Sequence, residues 1–95
     1  MPFPKQTPRP FTRPQVEALK PNQIGLYGLV RGETWVYIGS GDIRARLLDH
    51  LNGDNACITR EKPTHWLDVL VEGDPVPREK QLIAEYDPVC NRRVG

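Results

Sequence analysis

The strongest constraint on the fold is a pair of short segments rich in β-branched and aromatic residues. Residues 24–30 alternate weakly between apolar and polar positions, and residues 34–40 resemble them after the turn sequence Arg31-Gly32-Glu33. Two such segments separated by a short glycine-containing turn predict a β-hairpin. A hairpin provides two antiparallel neighbours of a sheet, so the rest of the chain is expected to extend and cover that sheet.

The length of the hairpin turn decides which side chains share a face of the sheet. A three-residue turn pairs Val30 with Thr34 and places Tyr27 directly opposite Tyr37. The two rings then stand side by side, because opposed residues point to the same face. A two-residue turn shifts the parity by one and sends the rings to opposite faces. The sequence leaves both registers open.

The remaining elements follow the hairpin in a simple order. Residues 43–51 carry apolar side chains at helical spacing and predict a short amphipathic helix. Residues 64–72 predict a third strand, and residues 77–86 predict a last helix with a proline at its first position. One extra helical turn is predicted around residues 57–60. The order is β-β-α-β-α, which predicts an α+β (α/β) fold with a small three-stranded, mostly antiparallel sheet flanked by helices.

Size and composition restrict the class of protein. A chain of 95 residues has room for one domain with one core. No apolar run approaches the roughly 20 residues needed to span a bilayer, and the N-terminus lacks the apolar stretch of a signal peptide, so we expect a cytoplasmic protein without a membrane partner. Cys57 and Cys90 match no paired-cysteine motif, and we expect both to be reduced structural residues.

The first 22 residues differ in composition from the rest. They contain six of the ten prolines and four basic residues against one acidic residue, a charge of +3, whereas residues 23–95 contain nine basic and eleven acidic residues, a charge of −2. We therefore divide the chain into a Pro-rich basic N-terminal arm, residues 1–22, and a domain, residues 23–95. Cations on an extended arm can follow nucleic-acid phosphates, and a solubilising tail explains the composition equally well. A short helical turn is predicted near residues 13–19.

Glu79 is an acidic residue on an otherwise apolar helix face. Leu82, Ile83 and Tyr86 follow it at three, four and seven positions, the spacing of one face. Burying an unpaired charge is costly, so such a carboxylate pairs with a cation, binds a metal ion or stays hydrated at the end of the helix. Its place in the first turn favours the hydrated position, next to the positive end of the helix dipole.

Arg46 and His50 lie four residues apart on the first predicted helix and share one of its faces. Together they could bind a phosphate group and transfer a proton. A solvated helix flank is the simpler interpretation of the same spacing. Periodicity does not favour Arg46 over Arg44, which lies closer to the apolar stripe.

Five segments, taken in order, resemble the GIY-YIG nuclease superfamily. Gly25-Leu26-Tyr27 and Tyr37-Ile38-Gly39 resemble the two halves of its signature. Residues 40–50 are similar to the stretch that follows, in which an arginine precedes a histidine by four positions, and this selects Arg46. Residues 78–83 resemble the segment with the family's glutamate, and residues 86–91 resemble its closing proline and asparagine. The resemblance covers about residues 24–91.

The resemblance implies an endonuclease that hydrolyses phosphodiester bonds with one divalent ion, Mg²⁺ or Mn²⁺, held by Glu79. It implies that Tyr27 acts as, or positions, the base for the attacking water, with help from His50 because a free phenol has a pKa of about 10. The implied catalytic residues are Tyr27, Tyr37, Arg46, His50, Glu79 and Asn91, of which Arg46 neutralises phosphoryl charge, Tyr37 binds the phosphate or water and Asn91 braces the site. The implied substrate-binding residues are Gly39, Ser40 and Arg44.

The chain departs from the larger enzymes of this superfamily because it has no pattern of a helix-turn-helix or zinc finger for reading DNA. Its net-negative body is also a poor general surface for nucleic acids, although basic residues occur outside the core elements: Arg60, Lys62, Arg92 and Arg93. We therefore expect weak cleavage, directed by branched or damaged DNA, by a protein partner or by a homodimer. RNA as the substrate stays open.

The main alternative is a nucleic-acid-binding or scaffold module that keeps the fold and turns over little or no substrate. The complete set of six implied catalytic residues argues against it, since a module without activity has no need for all of them. An unrelated protein with a chance match would require six coincidences in order.

Overall fold

The predicted hairpin forms one side of an antiparallel sheet, with its second strand at the sheet edge, in the computed structural model, which describes residues 3–91. The elements in chain order are β1 (Arg9–Pro10), α1 (Arg13–Glu17), β2 (Ile24–Arg31), β3 (Thr34–Asp42), α2 (Ile43–Leu51), α3 (Ala56–Glu61), β4 (His65–Leu70), α4 (Val76–Tyr86) and a 3-10 helix (Val89–Asn91). The α+β class and the order of the predicted elements are confirmed.

The sheet has four strands where the sequence predicted three. Their spatial order is β1-β4-β2-β3, and all neighbours are antiparallel. The added strand, β1, is only two residues long and pairs Arg9 with Trp66 and Pro10 with His65. A two-residue strand that contains a proline has no alternating pattern to recognise, which is why the sequence did not reveal it.

The N-terminal arm packs along the edge of β4. The side-chain amide of Gln6 donates to the carbonyl of Asp68 at 2.9 Å and accepts from the Asp68 N–H at 3.0 Å. Phe3 and Val16, also in the arm, are buried. The arm therefore covers backbone groups that an exposed edge strand would offer to other chains. The boundary at residue 22 stays a prediction based on composition.

The sheet is covered on both faces. One core lies between the sheet and helices α1, α2 and α3, and its buried members are Val16, Tyr27, Leu29, Val36, Ile43, Leu47, Ile58 and Trp66. The other lies between the sheet and α4, and its buried members are Phe3, Leu26, Ile38 and Leu82. Neighbouring residues of β2, such as Leu26 and Tyr27, therefore enter different cores, as the alternation of a strand requires.

The hairpin turn has two residues, the shorter of the two turn lengths that the sequence left open. Arg31 pairs with Thr34, and Gly32, the first turn residue, has a positive φ of 61° that glycine adopts without strain. Tyr27 consequently pairs with Gly39. The three-residue register, in which Tyr27 lies directly opposite Tyr37, is therefore not the one adopted.

A β-bulge in β3 nevertheless returns the two tyrosine rings to one face. Val30 pairs with Trp35 and Leu29 pairs with Tyr37, so Val36 is the extra residue. An extra residue restores the parity that the shorter turn would have changed. The centroids of the Tyr27 and Tyr37 rings lie 6.3 Å apart as diagonal neighbours. The two rings share a face, as the sequence interpretation required, through a different register.

Local signals located the helices well. Helix α2 spans the predicted residues 43–51, and the Asp42 side chain caps it by accepting from the Ala45 N–H at 3.2 Å. Helix α3 is longer than the predicted single turn, and β4 is shorter than the predicted strand. Within residues 3–91, no helix has the length and hydropathy to cross a membrane.

Cys57 and Cys90 form a disulfide with a Cα–Cα distance of 5.6 Å. The prediction that both cysteines are reduced is wrong. The 33-residue separation matches no motif, because the pairing depends on the packing of α3 beside the 3-10 helix rather than on local sequence. The bond fixes the segment that ends at Asn91 to the body of the protein.

Candidate active site

The buried side chain of Tyr27 crosses from β2 toward β3. A Cβ placed on Gly39, its partner in the sheet, would lie 2.6 Å from ring carbon Cζ of Tyr27. Only glycine leaves room for the ring to lie over this part of β3. The structure therefore explains why a glycine faces the first tyrosine. The role of Gly39 in binding substrate stays a prediction.

The ring of Tyr27, which lies over Gly39, contacts His50 in the last turn of α2. Tyr27 Oη is 2.7 Å from Nε2 of His50, and the rings of Tyr37 and His50 meet edge to face with centroids 5.2 Å apart. The His50 side chain is 1% exposed. Burial lowers the pKa of His50, and a hydrogen bond to Asp54 partly opposes this effect. His50 is therefore a neutral imidazole near pH 7.

The second nitrogen of His50 defines the direction of the hydrogen bonds. Nδ1 lies 2.7 Å from Oδ1 of Asp54. A carboxylate accepts hydrogen bonds and does not donate them, so Nδ1 carries the imidazole proton. Nε2 then has a free lone pair, and the hydroxyl of Tyr27 donates to it. The sequence interpretation did not include Asp54.

Both tyrosines of the site hold their protons tightly. Burial raises the pKa of Tyr27 well above its ordinary value, and the neighbouring Tyr37 adds to the effect while Arg46 opposes it. Burial also raises the pKa of Tyr37, followed by the charge of Glu79. Neither phenol ionises near neutral pH, so any base chemistry at Tyr27 requires a proton acceptor beside it.

Arg46 carries the positive charge of the site. Its Nη1 lies 3.1 Å from Oδ2 of Asp49, and its Nη2 lies 3.9 Å from Oδ2 of Asp54. Its side chain is 39% exposed, so the guanidinium can also meet a ligand from solvent. Arg44, the other arginine of α2, has no hydrogen bond or ion pair within residues 3–91.

Glu79 approaches the site from α4, on the other face of the sheet from the tyrosine rings. It lies in the first turn of the helix, and its carboxylate accepts a hydrogen bond from the Ser40 hydroxyl of β3. Its negative charge adds to the effect of burial in raising the pKa of Tyr37 and, as a smaller contribution, the pKa of Tyr27. No basic side chain of the described residues forms an ion pair with Glu79.

The donors fit a divalent ion that stays largely hydrated. The described residues contain no cluster of three or more His, Cys, Asp or Glu side chains that could enclose a metal ion. Mg²⁺ is commonly held by one or two carboxylates together with water and substrate phosphate. The half-buried carboxylate of Glu79, which accepts from the Ser40 hydroxyl, has the chemistry of one such ligand.

Asn91 pairs with the edge of β3 through its side-chain amide. Its Oδ1 accepts from the Ile38 N–H at 2.8 Å, and its Nδ2 donates to the Ile38 carbonyl at 2.9 Å. The amide thus makes the two backbone hydrogen bonds that a neighbouring strand would make with Ile38, the residue between Tyr37 and Gly39. This contact supports the bracing role implied for Asn91.

The structure brings the implied site residues to β2, β3 and the helices beside them, with one addition to the sequence interpretation. Asp54 is an additional member, and a signal for it exists in its four-residue distance from His50 across the glycine that ends α2. Of the basic residues outside the core, Arg60 pairs with Glu61 at 3.9 Å. Arg92 and Arg93 lie outside the described residues. A cleft of about 290 Å³ beside Leu19, Lys20 and Leu70 contains none of the implied catalytic residues.

Comparison with known proteins identifies the architecture. No protein-family model and no curated protein sequence matches the chain. The fold is similar to the GIY-YIG N-terminal endonuclease domain of UvrC from Thermotoga maritima, with a TM-score of 0.73 and 26% identity over 85% of this chain and 94% of that chain. The chain belongs to the GIY-YIG superfamily. A structure of the same Thermotoga maritima domain with magnesium, its catalytic divalent cation, gives a TM-score of 0.73 at 25% identity.

Membership of the GIY-YIG superfamily gives the chain a nuclease fold. The two halves of the signature now have physical roles in this member. Tyr27 and Tyr37 place two phenols on one face, and Gly39 makes space for the first of them. Gly25 has a separate purpose, because a Cβ there would lie 2.9 Å from the Cα of Leu70 in β4.

Proposed function

We propose that this protein is a metal-dependent endonuclease that hydrolyses phosphodiester bonds in DNA. The observation that carries the proposal is the 2.7 Å hydrogen bond between Tyr27 and a buried, neutral His50. It places a proton donor and a proton acceptor in series next to a partly exposed arginine. That combination serves hydrolysis of a phosphodiester, which needs an activated water and a cation at the phosphate.

Tyr27 and His50 can remove a proton from the attacking water together. The phenol of Tyr27 stays protonated because of its burial, so it does not act as a free phenolate base. Instead, its oxygen accepts a proton from water while its own proton moves to Nε2 of His50. The imidazole accepts the proton because it is neutral at the start.

Arg46 and Tyr37 would bind the reacting phosphate. The guanidinium of Arg46 can donate to two phosphoryl oxygens and neutralise the charge that develops there. The hydroxyl of Tyr37 stays protonated and can donate to the phosphate or orient the attacking water. We assign Arg44 and Ser40 to contacts with the substrate around this centre.

Glu79 would hold one divalent ion, Mg²⁺ or Mn²⁺. When bound, the ion supplies Lewis-acid stabilisation of the phosphate and of the leaving oxygen. Ser40 donates to one oxygen of Glu79 and fixes the orientation of the carboxylate. Asn91 holds β3 in place between Tyr37 and Gly39.

The proposed substrate is DNA with a branched or damaged structure. The net-negative body and the lack of a recognisable reading element give little support for tight, sequence-specific binding. A homodimer or a protein partner would then provide targeting. The cytoplasmic location expected from the sequence stays a proposal, and the Cys57–Cys90 disulfide counts against it, since disulfides are rare in the reducing cytosol. Alkylating the free thiols in intact cells, before isolation, tests it.

The proposal is tested by incubating supercoiled and branched DNA with the protein in Mg²⁺, in Mn²⁺ or in EDTA. We expect cleavage with either metal ion and none in EDTA. Glu79→Gln keeps the shape of the side chain and should abolish metal-dependent cleavage, and Arg46→Ala should reduce the rate by about 10²- to 10³-fold. Glu33→Gln in the hairpin turn and Arg60→Ala on α3 are matched controls at exposed positions.

The outcomes separate the alternatives. Cleavage that survives both Glu79→Gln and Arg46→Ala would show that the site assignment is wrong. If the wild type binds DNA and cleaves none of these substrates, the protein is a binding module of the same fold. If it neither binds nor cleaves, nucleic acid is not its ligand.

A further inference from the structure

A hydrogen-bonded series extends from the proposed water-activating tyrosine to the surface. Tyr27 Oη lies 2.7 Å from Nε2 of His50, and His50 Nδ1 lies 2.7 Å from Oδ1 of Asp54. Tyr27 and His50 are buried, whereas the Asp54 side chain is 35% exposed. The carboxylate is therefore the end of the series that solvent can reach.

The end of α2 places Asp54 under the histidine. The helix ends at Leu51, and Gly53 follows in a positive-φ conformation of 85°. The Gly53 N–H donates to the His50 carbonyl, and the Asp54 N–H donates to the Asp49 carbonyl, both at 3.2 Å. This turn reverses the chain so that Asp54 faces the imidazole four residues before it.

We propose that Asp54 is a positioning residue of the nuclease site: it holds His50 in the tautomer with the proton on Nδ1, so that Nε2 can accept a proton from Tyr27. The proposal rests on the proposed nuclease function for its catalytic consequence. Its structural part, the tautomer of His50, is independent of activity. Asp54 does not touch the reacting atoms and acts through His50.

Two properties of the contact support this role. A carboxylate only accepts hydrogen bonds, so it determines which imidazole nitrogen is protonated, and a buried imidazole has no water to compete for that proton. A negative charge at Nδ1 also stabilises the imidazolium that forms when the proton arrives from Tyr27.

The second oxygen of Asp54 faces the proposed phosphate-binding arginine. Oδ2 lies 3.9 Å from Nη2 of Arg46, and Oδ1 contacts His50. One carboxylate thus connects the proton acceptor with the cation of the site. Asp49 binds the same guanidinium at 3.1 Å without contacting His50. The substitution Asp49→Asn is a matched control because it removes a similar charge near Arg46 and leaves the contact between Asp54 and the imidazole intact.

The first experiment compares Asp54→Asn with Asp49→Asn in the DNA cleavage assay. The Asn side chain is isosteric, and its amide can donate to Nδ1, which moves the imidazole proton to Nε2 and opposes donation from Tyr27. We expect kcat to fall by about 10²- to 10⁴-fold in Asp54→Asn, the range that general acid–base catalysis supplies, with KM changed little. Asp49→Asn should keep kcat within about threefold of wild type.

The second experiment measures the His50 tautomer directly by long-range ¹H–¹⁵N NMR on imidazole-labelled protein at neutral pH. We expect the wild type and Asp49→Asn to show a protonated Nδ1 and an unprotonated Nε2. Asp54→Asn should shift the proton to Nε2, and Asp54→Ala should give a mixture of the two tautomers. Backbone amide spectra of the same samples report whether each variant is folded.

The two readouts keep the hypotheses apart. An unchanged His50 tautomer in both folded Asp54→Asn and folded Asp54→Ala overturns the positioning role, whatever the cleavage rate, because alanine can neither accept from nor donate to Nδ1. A changed tautomer with unchanged kcat overturns its catalytic consequence. If wild-type protein cleaves no DNA while the tautomers change as expected, the proposed function fails and the structural role of Asp54 stands.

Discussion

Reducing the disulfide between Cys57 and Cys90 is expected to lower the free energy of unfolding by about 4 kcal/mol. The bond closes a loop with a sequence separation of 33 residues. In the chain-entropy treatment, a crosslink of this span removes about 12 to 13 cal/mol/K of entropy from the unfolded chain, which is about 4 kcal/mol at 25 °C. For a domain of this size, the melting temperature should fall by roughly 15 to 30 °C.

The measurement is urea unfolding at 25 °C followed by far-UV circular dichroism, with and without a phosphine reductant. The free energies extrapolated to water should be compared rather than the midpoints, because an uncrosslinked chain exposes more surface and changes the m-value. The double variant Cys57→Ser/Cys90→Ser is the matched control. It should resemble the reduced wild type and show no response to reductant.

Reduction should also loosen the site locally. Asn91 follows Cys90 directly and accepts from the Ile38 N–H, so the amide of Ile38 should exchange its hydrogen faster in the reduced protein. A loss of stability below about 1 kcal/mol would refute the entropic argument. An equal response of the double serine variant to reductant would show that the effect does not come from this bond.

Three further predictions follow from single contacts. Gly39→Ala should cost about 1 to 3 kcal/mol in urea unfolding, because its Cβ would collide with the ring of Tyr27, and a cost near zero would contradict the close approach. Asp42→Ala should lower the free energy of unfolding by about 1 kcal/mol by removing the cap of α2, whereas Asp42→Asn should retain most of the stability because Asn also caps helices. The pKa of His50 is lowered in the folded state, so the unfolded chain binds a proton at a higher pH than the folded protein does. The free energy of unfolding of the wild type should therefore decrease as the pH is lowered through about 6.5. His50→Gln should flatten this part of the stability profile, and equal profiles would refute the shift.

Interactions between near neighbours made much of the fold readable from the sequence. The apolar spacing and the Asp42 cap located α2 at residues 43–51, and the prolines near residue 77 located the start of α4 within one residue. These signals act within one or two turns of the chain and need no partner from elsewhere. The resemblance to a known signature then supplied the residues of the proposed site, including the choice of Arg46 over Arg44, which periodicity did not make.

Contacts between distant segments were decided only by the tertiary structure. The bulge at Val36 depends on how β3 packs, and it returned the tyrosine rings to one face despite a two-residue turn. The Cys57–Cys90 bond and strand β1 likewise require segments that are remote in sequence to meet. Asp54 is near His50 in sequence, but its role follows from the burial of the imidazole and its bond to Tyr27. The sequence therefore determined the elements and indicated most residues of the proposed site. Packing determined the register, the crosslink and the direction of the hydrogen bonds, because each depends on atoms that only the folded chain brings together.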